Sequence, residues 1–260
     1  MTGAAALADR VAIVTGSSAG IGRAIAAELA ARGATVVVTS RSAQRATATA
    51  EKIAAAGGRA TAVEAELTDP GAPAALVART LADHGRVDVL VNCAGAGQVA
   101  PSQDLPRGDW QRIIDLDLTA PFACAQAAAG PMLAAGRGVI VNVTSLTGHV
   151  GLAGRAAYTA AKHGLEGLTK ALAAEWSPRG VRVLSVAPGY VATALLEKNM
   201  AAGGFDRADL EGRTPLGRLA EPEEVARVVA FAVSDDAGYM TGSSLVVDGG
   251  WLADGGWERR

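Results

Sequence analysis

Short β-branched runs alternate with alanine-rich helical stretches along the whole of this 260-residue chain, and that rhythm restricts its fold more than any other feature. Residues 11–14, 35–38, 60–63, 87–91, 139–143, 181–186 and 244–247 read as strands. Several are apolar throughout, as suits strands covered on both faces. Residues 21–32, 43–56, 74–84, 110–135, 156–177 and 222–234 read as helices, and Gly33, Gly57, Gly85 and Gly180 follow four of them where a left-handed cap is wanted. This order predicts an α/β fold: a doubly wound parallel sheet with helices on both faces. No linker-like stretch, composition break or internal repeat divides it, so residues 1–260 read as one domain. Residues 190–219 are the least regular. With Gly203 and Gly204 inside them, they read as a mobile substrate loop over a site.

Hydrophobic residues make up 50% of the chain and charged residues 19%, enough to bury a core and too apolar for disorder. A net charge of −2 offers no footprint for nucleic acid or an anionic membrane. The two cysteines, Cys93 and Cys124, suggest no disulfide framework, so the cytoplasm is the expected compartment. Residues 1–10 do not read as a signal peptide, and no apolar run approaches the ~18–20 residues of a membrane helix. No His/Cys/Asp grouping has ligand spacing, so no metal is expected.

Two segments carry chemistry. The stretch Thr15-Gly-Ser-Ser-Ala-Gly-Ile-Gly22 follows the first strand and opens the first helix. Its glycines permit tight turning and close backbone approach, while the helix start offers unpaired N–H groups to a pyrophosphate. Gly16, Ser18, Gly20, Ile21 and Gly22 are therefore candidate contacts of a dinucleotide. At the end of the second strand, Ser40-Arg41 stands where an acidic residue would repel a 2′-phosphate. A guanidinium beside a small hydroxyl favours NADP over NAD, the alternative being a solvated surface arginine. Glu66-Leu67 is placed to approach the adenine amine, and Asn92-Cys-Ala-Gly95 ends the fourth strand in small residues that suit a backbone passing a ligand.

The second segment, Tyr158-Thr-Ala-Ala-Lys162, sets a phenol and an ammonium four residues apart on one helix face. At ~4 Å and an effective dielectric of about 20, such a cation is worth roughly 4 kcal/mol, enough to carry a phenol from ~10 towards ~7. The pairing reads as proton transfer beside a bound nucleotide.

Taken with Ser145 and Pro188-Gly-Tyr-Val-Ala-Thr193, these segments resemble the short-chain dehydrogenase/reductase family in its compact single-domain branch, over nearly the whole chain. The resemblance implies a Rossmann-type sheet, one active site per subunit, and a homo-oligomer, tetramer or dimer. It implies that Ser145 hydrogen-bonds the substrate oxygen, that Tyr158 exchanges the proton, and that Lys162 holds the nicotinamide ribose and depresses the tyrosine pKa. Asn92, Ala94 and Gly95 would line the adenosine side, and Pro188, Gly189, Val191 and Thr193 the nicotinamide side. The expected activity is NADP(H)-dependent interconversion of a small-molecule carbonyl and a secondary alcohol, in the manner of 3-oxoacyl thioester reductases. Sugar, polyol or secondary-metabolite ketone dehydrogenases using NAD(H) are the alternative, with a non-catalytic NADP sensor as a rival from another class.

Three positions depart from the family pattern. Asp117 stands where asparagine is usual and is a fourth candidate catalytic residue, ordering a proton relay through Lys162. Glu66 replaces a frequent aspartate, and Leu184 replaces an asparagine and is assigned to packing. Arg207 and Arg213 are candidates for a basic surface that docks a carrier protein. His84, His149 and His163 are read as structural, Cys93 as a filler, Trp176 as covering a helix surface, and Trp251 and Trp257 as packing at a subunit interface.

Overall fold

The computed structural model describes residues 6–97, 99–203 and 205–254; Gln98, Gly204 and Trp257 lie outside them. Seven strands, β1 (Val11–Val14), β2 (Thr35–Ser40), β3 (Arg59–Glu64), β4 (Val89–Asn92), β5 (Gly138–Val143), β6 (Val181–Pro188) and β7 (Ser244–Val247), form one parallel sheet. Its order is β3-β2-β1-β4-β5-β6-β7. Successive residues of β1 show why the strand is apolar throughout: Ala12 and Val14 join one core cluster, Val11 and Ile13 the other. Side chains alternate between faces with a period of two, and both faces are covered.

On one face lie α1 (Gly20–Ala31), α2 (Ala43–Ala55) and α9 (Pro222–Val233), whose alanines and valines pack against Val36, Val38, Val89 and Val91. On the other lie α3 (Ala72–His84), α5 (Ala120–Ala135) and α6 (Ala156–Trp176), against Val37, Leu90, Ile140 and Val183. Trp176 is buried there with Leu172 and Val181, in the core rather than on the helix surface. Small helix residues let the helices sit close to the sheet, so alanine serves packing here as much as helix propensity. Because β3 is followed by β4 across the sheet, the strand order reverses between β1 and β4. Ligands of such sheets bind at the carboxyl ends beside that reversal.

Two expected elements also need correcting. The helix expected over 110–135 is broken into α4 (Arg107–Ile114), a π-turn (Asp115–Thr119) and α5. Pro121 has no N–H to give the carbonyl of Asp117, so the ladder slips by one residue, and the Ala120 N–H bonds the Asp115 carbonyl instead. Residues 190–219, expected as an irregular loop, hold α7 (Ala194–Gly203) and α8 (Arg207–Arg213). Their Leu196 and Leu210 pack with Leu219, Tyr190, Met200 and Phe205 as a small core of their own. Asp206 and Asp209 cap α8 reciprocally. Among the described residues no helix is long and apolar enough to cross a membrane.

Candidate active site

Lys162 lies on α6 with its ammonium 5.5 Å from the centroid of the Tyr158 ring, as helical spacing requires. Only 4% of the lysine is exposed, and a buried ammonium needs partners. They are the Asp117 carboxylate, Oδ1 at 3.1 Å, and the Val143 carbonyl at the end of β5, 3.2 Å away. Asp117 is wholly buried, and its Oδ2 accepts a hydrogen bond from the Ala96 N–H at 3.0 Å. The π-turn is what places this aspartate under the β4 loop. Burial works to lower the Lys162 amine, yet Asp117 and Tyr158 together hold it above its ordinary value. Burial pushes the Asp117 carboxyl up, against the pull of Lys162 and the Ala96 N–H.

Gly95 joins this group to the nucleotide end. A Cβ on it would sit 2.6 Å from Asp117 Oδ1 and 3.7 Å from Lys162 Nζ, so only glycine lets the chain pass here. Ser145 follows β5, two residues beyond the carbonyl that Lys162 bonds. Its Oγ accepts from the Thr147 N–H at 3.2 Å, capping a 3₁₀ turn (Leu146–Gly148). It remains half-buried.

At the nucleotide end, β1 and β4 are stitched by Thr15, whose Oγ1 accepts from the Cys93 and Ala94 N–H groups at 2.9 and 3.1 Å. Ser17 accepts from the Thr39 N–H at 2.9 Å, and Ser18 donates to Ser40 at 3.1 Å, tying the turn to the end of β2. Gly16 and Gly20 have positive φ, 65° and 51°, and a Cβ on Gly22 would come 2.5 Å from the Gly16 carbonyl oxygen. The residue before α1 is Ala19, which supplies no side-chain cap, and no acidic residue stands in the first turn, where Ile21 lies. Across the crevice, Thr193 reaches the turn: its Cγ2 lies 3.4 Å from where a Gly20 Cβ would be. Pro188 closes β6, Gly189 passes against Asp248, and Val191 bridges Ala220. Arg41 is exposed beyond β2, Leu67 is buried, and Glu66 accepts from the Thr68 hydroxyl at 3.0 Å. The Asn92 side chain is turned inward, donating to Asn142 at 2.9 Å and the Pro121 carbonyl at 3.2 Å, so its amide holds β4 to β5 rather than facing the crevice.

Residues 16–252 match the family model described as Enoyl-(Acyl carrier protein) reductase. The cis-4-hydroxycyclohexanecarboxylate dehydrogenase of Sinomonas cyclohexanicum is 45% identical over 95% of this chain and 98% of its own length. The chain belongs to the short-chain dehydrogenase/reductase family. The cyclohexanol dehydrogenase of Acinetobacter sp. (strain SE19) is 40% identical, over 94% of this chain and 96% of its own. The crystal structure of a gluconate 5-dehydrogenase from Burkholderia cenocepacia J2315, in complex with NADP and tartrate, matches with a TM-score of 0.91 at 31% identity, covering 95% of this chain and 97% of that one.

This is a family of oxidoreductases, and the site has the parts a nicotinamide coenzyme requires. The first turn of α1 has N–H groups without a side-chain acceptor, which suits a pyrophosphate, and the half of the crevice beyond Gly95 holds a fixed ammonium. Sequence reasoning missed Glu166, one helical turn beyond Lys162 and 6% exposed. It accepts from the Thr144, Ser185 and Ser244 hydroxyls at 2.6, 2.7 and 3.1 Å, locking α6 to the end of β5, the middle of β6 and the start of β7. A lone carboxylate within an apolar helix face, four residues from a buried lysine, was the available signal. His149 serves the same network, 3.5 Å from Glu166, and His84 bonds Thr61. His163 is exposed on α6 and bonds the Thr159 carbonyl. Burial pushes the Cys93 thiol up to about 12, so it is no nucleophile at neutral pH. Trp251 packs edge-on to Tyr190 at 6.3 Å and under Arg213 at 4.5 Å, contacts within one chain. Arg207 pairs with Glu211 on the exposed side of α8, and Arg213 pairs with Asp254. No cluster of three metal-ligating side chains occurs among the described residues.

Proposed function

We propose that this chain interconverts a ring secondary alcohol and its ketone, with NADP(H) as hydride partner. One observation carries the chemistry: a buried ammonium, fixed by a buried carboxylate, lies beneath the ring of Tyr158. The ammonium lies where negative charge grows as the Tyr158 hydroxyl gives its proton to the substrate oxygen. The Ser145 hydroxyl donates to the same oxygen, stabilising the negative charge that grows on it in the reductive direction. In oxidation the Tyr158 oxygen takes the alcohol proton. Asp117 is a positioning residue, holding Lys162 by charge and the β4 loop by the Ala96 N–H.

When bound, the nicotinamide gives or takes the hydride at the carbon whose oxygen Tyr158 serves. The glycine turn and the amides of Ile21 and Gly22 would hold the pyrophosphate, Arg41 with Ser40 the 2′-phosphate, and Lys162 the ribose hydroxyls. Ala94 and Gly95 would flank the adenosine, with Glu66 and Leu67 at the adenine, and Pro188, Gly189, Val191 and Thr193 would bound the nicotinamide pocket. The ring-alcohol class is supported by two relatives named for such substrates, one bearing a ring carboxylate. NADP is supported by Arg41 and by the neighbour solved with it. A homo-oligomer is supported by Phe231 and Val246, 39% and 45% exposed near the β7 edge, and the cytoplasm by two free cysteines.

The test is turnover of cyclohexanol and cyclohexanone with each coenzyme. Tyr158→Phe is expected to cut kcat by roughly 10²–10⁴-fold while coenzyme affinity holds, the usual worth of positioned acid–base catalysis. Full turnover by that variant sinks the proton role. A preference for NADH sinks the coenzyme assignment.

A further inference from the structure

We infer, on the reading that Ser145 and Tyr158 serve one substrate oxygen, that His149 is a positioning residue: through the buried Glu166 carboxylate it holds the Ser145 hydroxyl in register with the Tyr158 phenol. Ser145 lies in the segment 144–149, and both ends of that segment meet on one atom. At the near end the Thr144 hydroxyl donates to Glu166 Oε1 at 2.6 Å. At the far end His149 Nε2 lies 3.2 Å from the Ser244 hydroxyl, which donates to the same Oε1 at 3.1 Å. A hydroxyl has one hydrogen, and that of Ser244 goes to the carboxylate, so the ring nitrogen is the donor. Nε2 itself stands 3.5 Å from Oε1.

Both contacts of the imidazole are made by one nitrogen, so it is not the middle of a serine–histidine–carboxylate relay, which needs the second ring nitrogen on the carboxylate. Its work is to hold a distance. Glu166 belongs to α6, about one turn beyond Lys162 and two beyond Tyr158, so the helix that carries the phenol also anchors the serine segment. The 3₁₀ turn lies flat on that helix: a Cβ on Gly148 would sit 3.1 Å from Glu166 Cγ and 3.2 Å from the Lys162 carbonyl oxygen. Within the turn the Ser145 carbonyl accepts the Gly148 N–H at 2.8 Å and the Leu146 carbonyl accepts the His149 N–H at 3.0 Å, so a shift of His149 passes back to Ser145. The Ser145 Oγ accepts the Thr147 N–H, which leaves its own hydrogen for a substrate oxygen. Two donors aimed at one oxygen must keep their separation, and a misplacement of about 1 Å costs on the order of 10²-fold in rate. Thr144 is sealed in the core, whereas His149 is at the surface, so its ring is the tie that water can reach.

The experiment compares the full natural chain with His149→Ala and with His149→Gln, whose side-chain amide keeps an N–H near the reach of Nε2. Hydrogen exchange read by mass spectrometry needs no substrate. The amides of residues 146–150 are expected to exchange about fivefold or more faster in His149→Ala, the worth of one hydrogen bond, and close to the natural rate in His149→Gln. With NADPH and cyclohexanone, His149→Ala is expected to lower kcat about tenfold while the KM for NADPH holds, and His149→Gln to restore most of it. In a Ser145→Ala background, His149→Ala is expected to lower kcat no further, because its effect passes through the hydroxyl already lost. Unchanged exchange in His149→Ala, a kcat that ignores it, or equal losses in both backgrounds overturns the inference. Full turnover by Ser145→Ala, or no turnover of ring ketones by the natural chain, overturns the reading of the reaction alone, and exchange still decides whether His149 holds the turn.

Discussion

Asp117 shows how one atom pair changes the chemistry of a familiar motif. Asparagine at this position would keep the shape and lose the charge that raises the Lys162 amine. In Asp117→Asn the ammonium gives up its proton at lower pH, so the basic limb of the kcat/KM profile is expected to move downward. An unmoved limb counts against the role of Asp117. Stability follows the same sign. With a folded-state value above the ordinary 10.5, Lys162 contributes stability that is complete below that pH and is lost as pH climbs through the folded value. Asp117→Asn therefore flattens the alkaline side of the stability curve. Asp117→Ala, which leaves the ammonium buried beside a void, is expected to cost about 3–5 kcal/mol at neutral pH by denaturant melting.

At the scale of elements, the site depends on two irregularities. The π-turn exists because Pro121 withholds an N–H, and it delivers Asp117 to the β4 loop. The start of α1 depends on glycine crowding: a methyl at Gly22 would meet the Gly16 carbonyl at 2.5 Å. Gly22→Ala must push the helix away from the turn, at about 1–3 kcal/mol for the overpacking. NADPH fluorescence titration is expected to show coenzyme affinity weakened tenfold or more, while the Lys162 to Asp117 pair, on other elements, stays intact. Unchanged affinity would mean that the turn does not hold the phosphates.

Across the molecule, the sheet reversal between β1 and β4 brings together segments from residues 15 to 193, and a second tie secures the segment that covers them. The carboxyl-terminal stretch lies on the 190–219 segment: Leu216 bonds the Gly249 carbonyl, and Arg213 bonds the Asp254 carbonyl at 3.1 Å while stacking over Trp251. Arg213→Ala removes these two contacts and the ion pair with the Asp254 carboxylate, worth about 1–2 kcal/mol together, and is expected to lower Tm by roughly 2–8 °C. Thermolysin should then cut faster within residues 190–219. Unaltered cleavage would show that the tail merely rests there.

All seven strands and five of the six expected helices were legible in the chain, because a parallel sheet buried on both faces demands continuous valine runs and leaves a strong signal. The closeness of Tyr158 to Lys162 and the tight glycine turn were legible because both depend on local spacing. The 110–135 helix was misread because a missing N–H at Pro121 acts through the carbonyl four residues earlier, which periodicity does not register. α7 and α8 were missed because they are short and bury only a leucine or two each in a small cluster with Tyr190, Phe205 and Leu219, leaving weak local patterns around Gly203. Glu166, the inward turn of Asn92 and the place of Arg155 beside Phe205 depend on residues far apart in sequence. Local composition and periodicity thus determined the layers and the reactive groups; the partners of buried charges were decided only by tertiary packing, because desolvation and Coulomb attraction depend on distances through space.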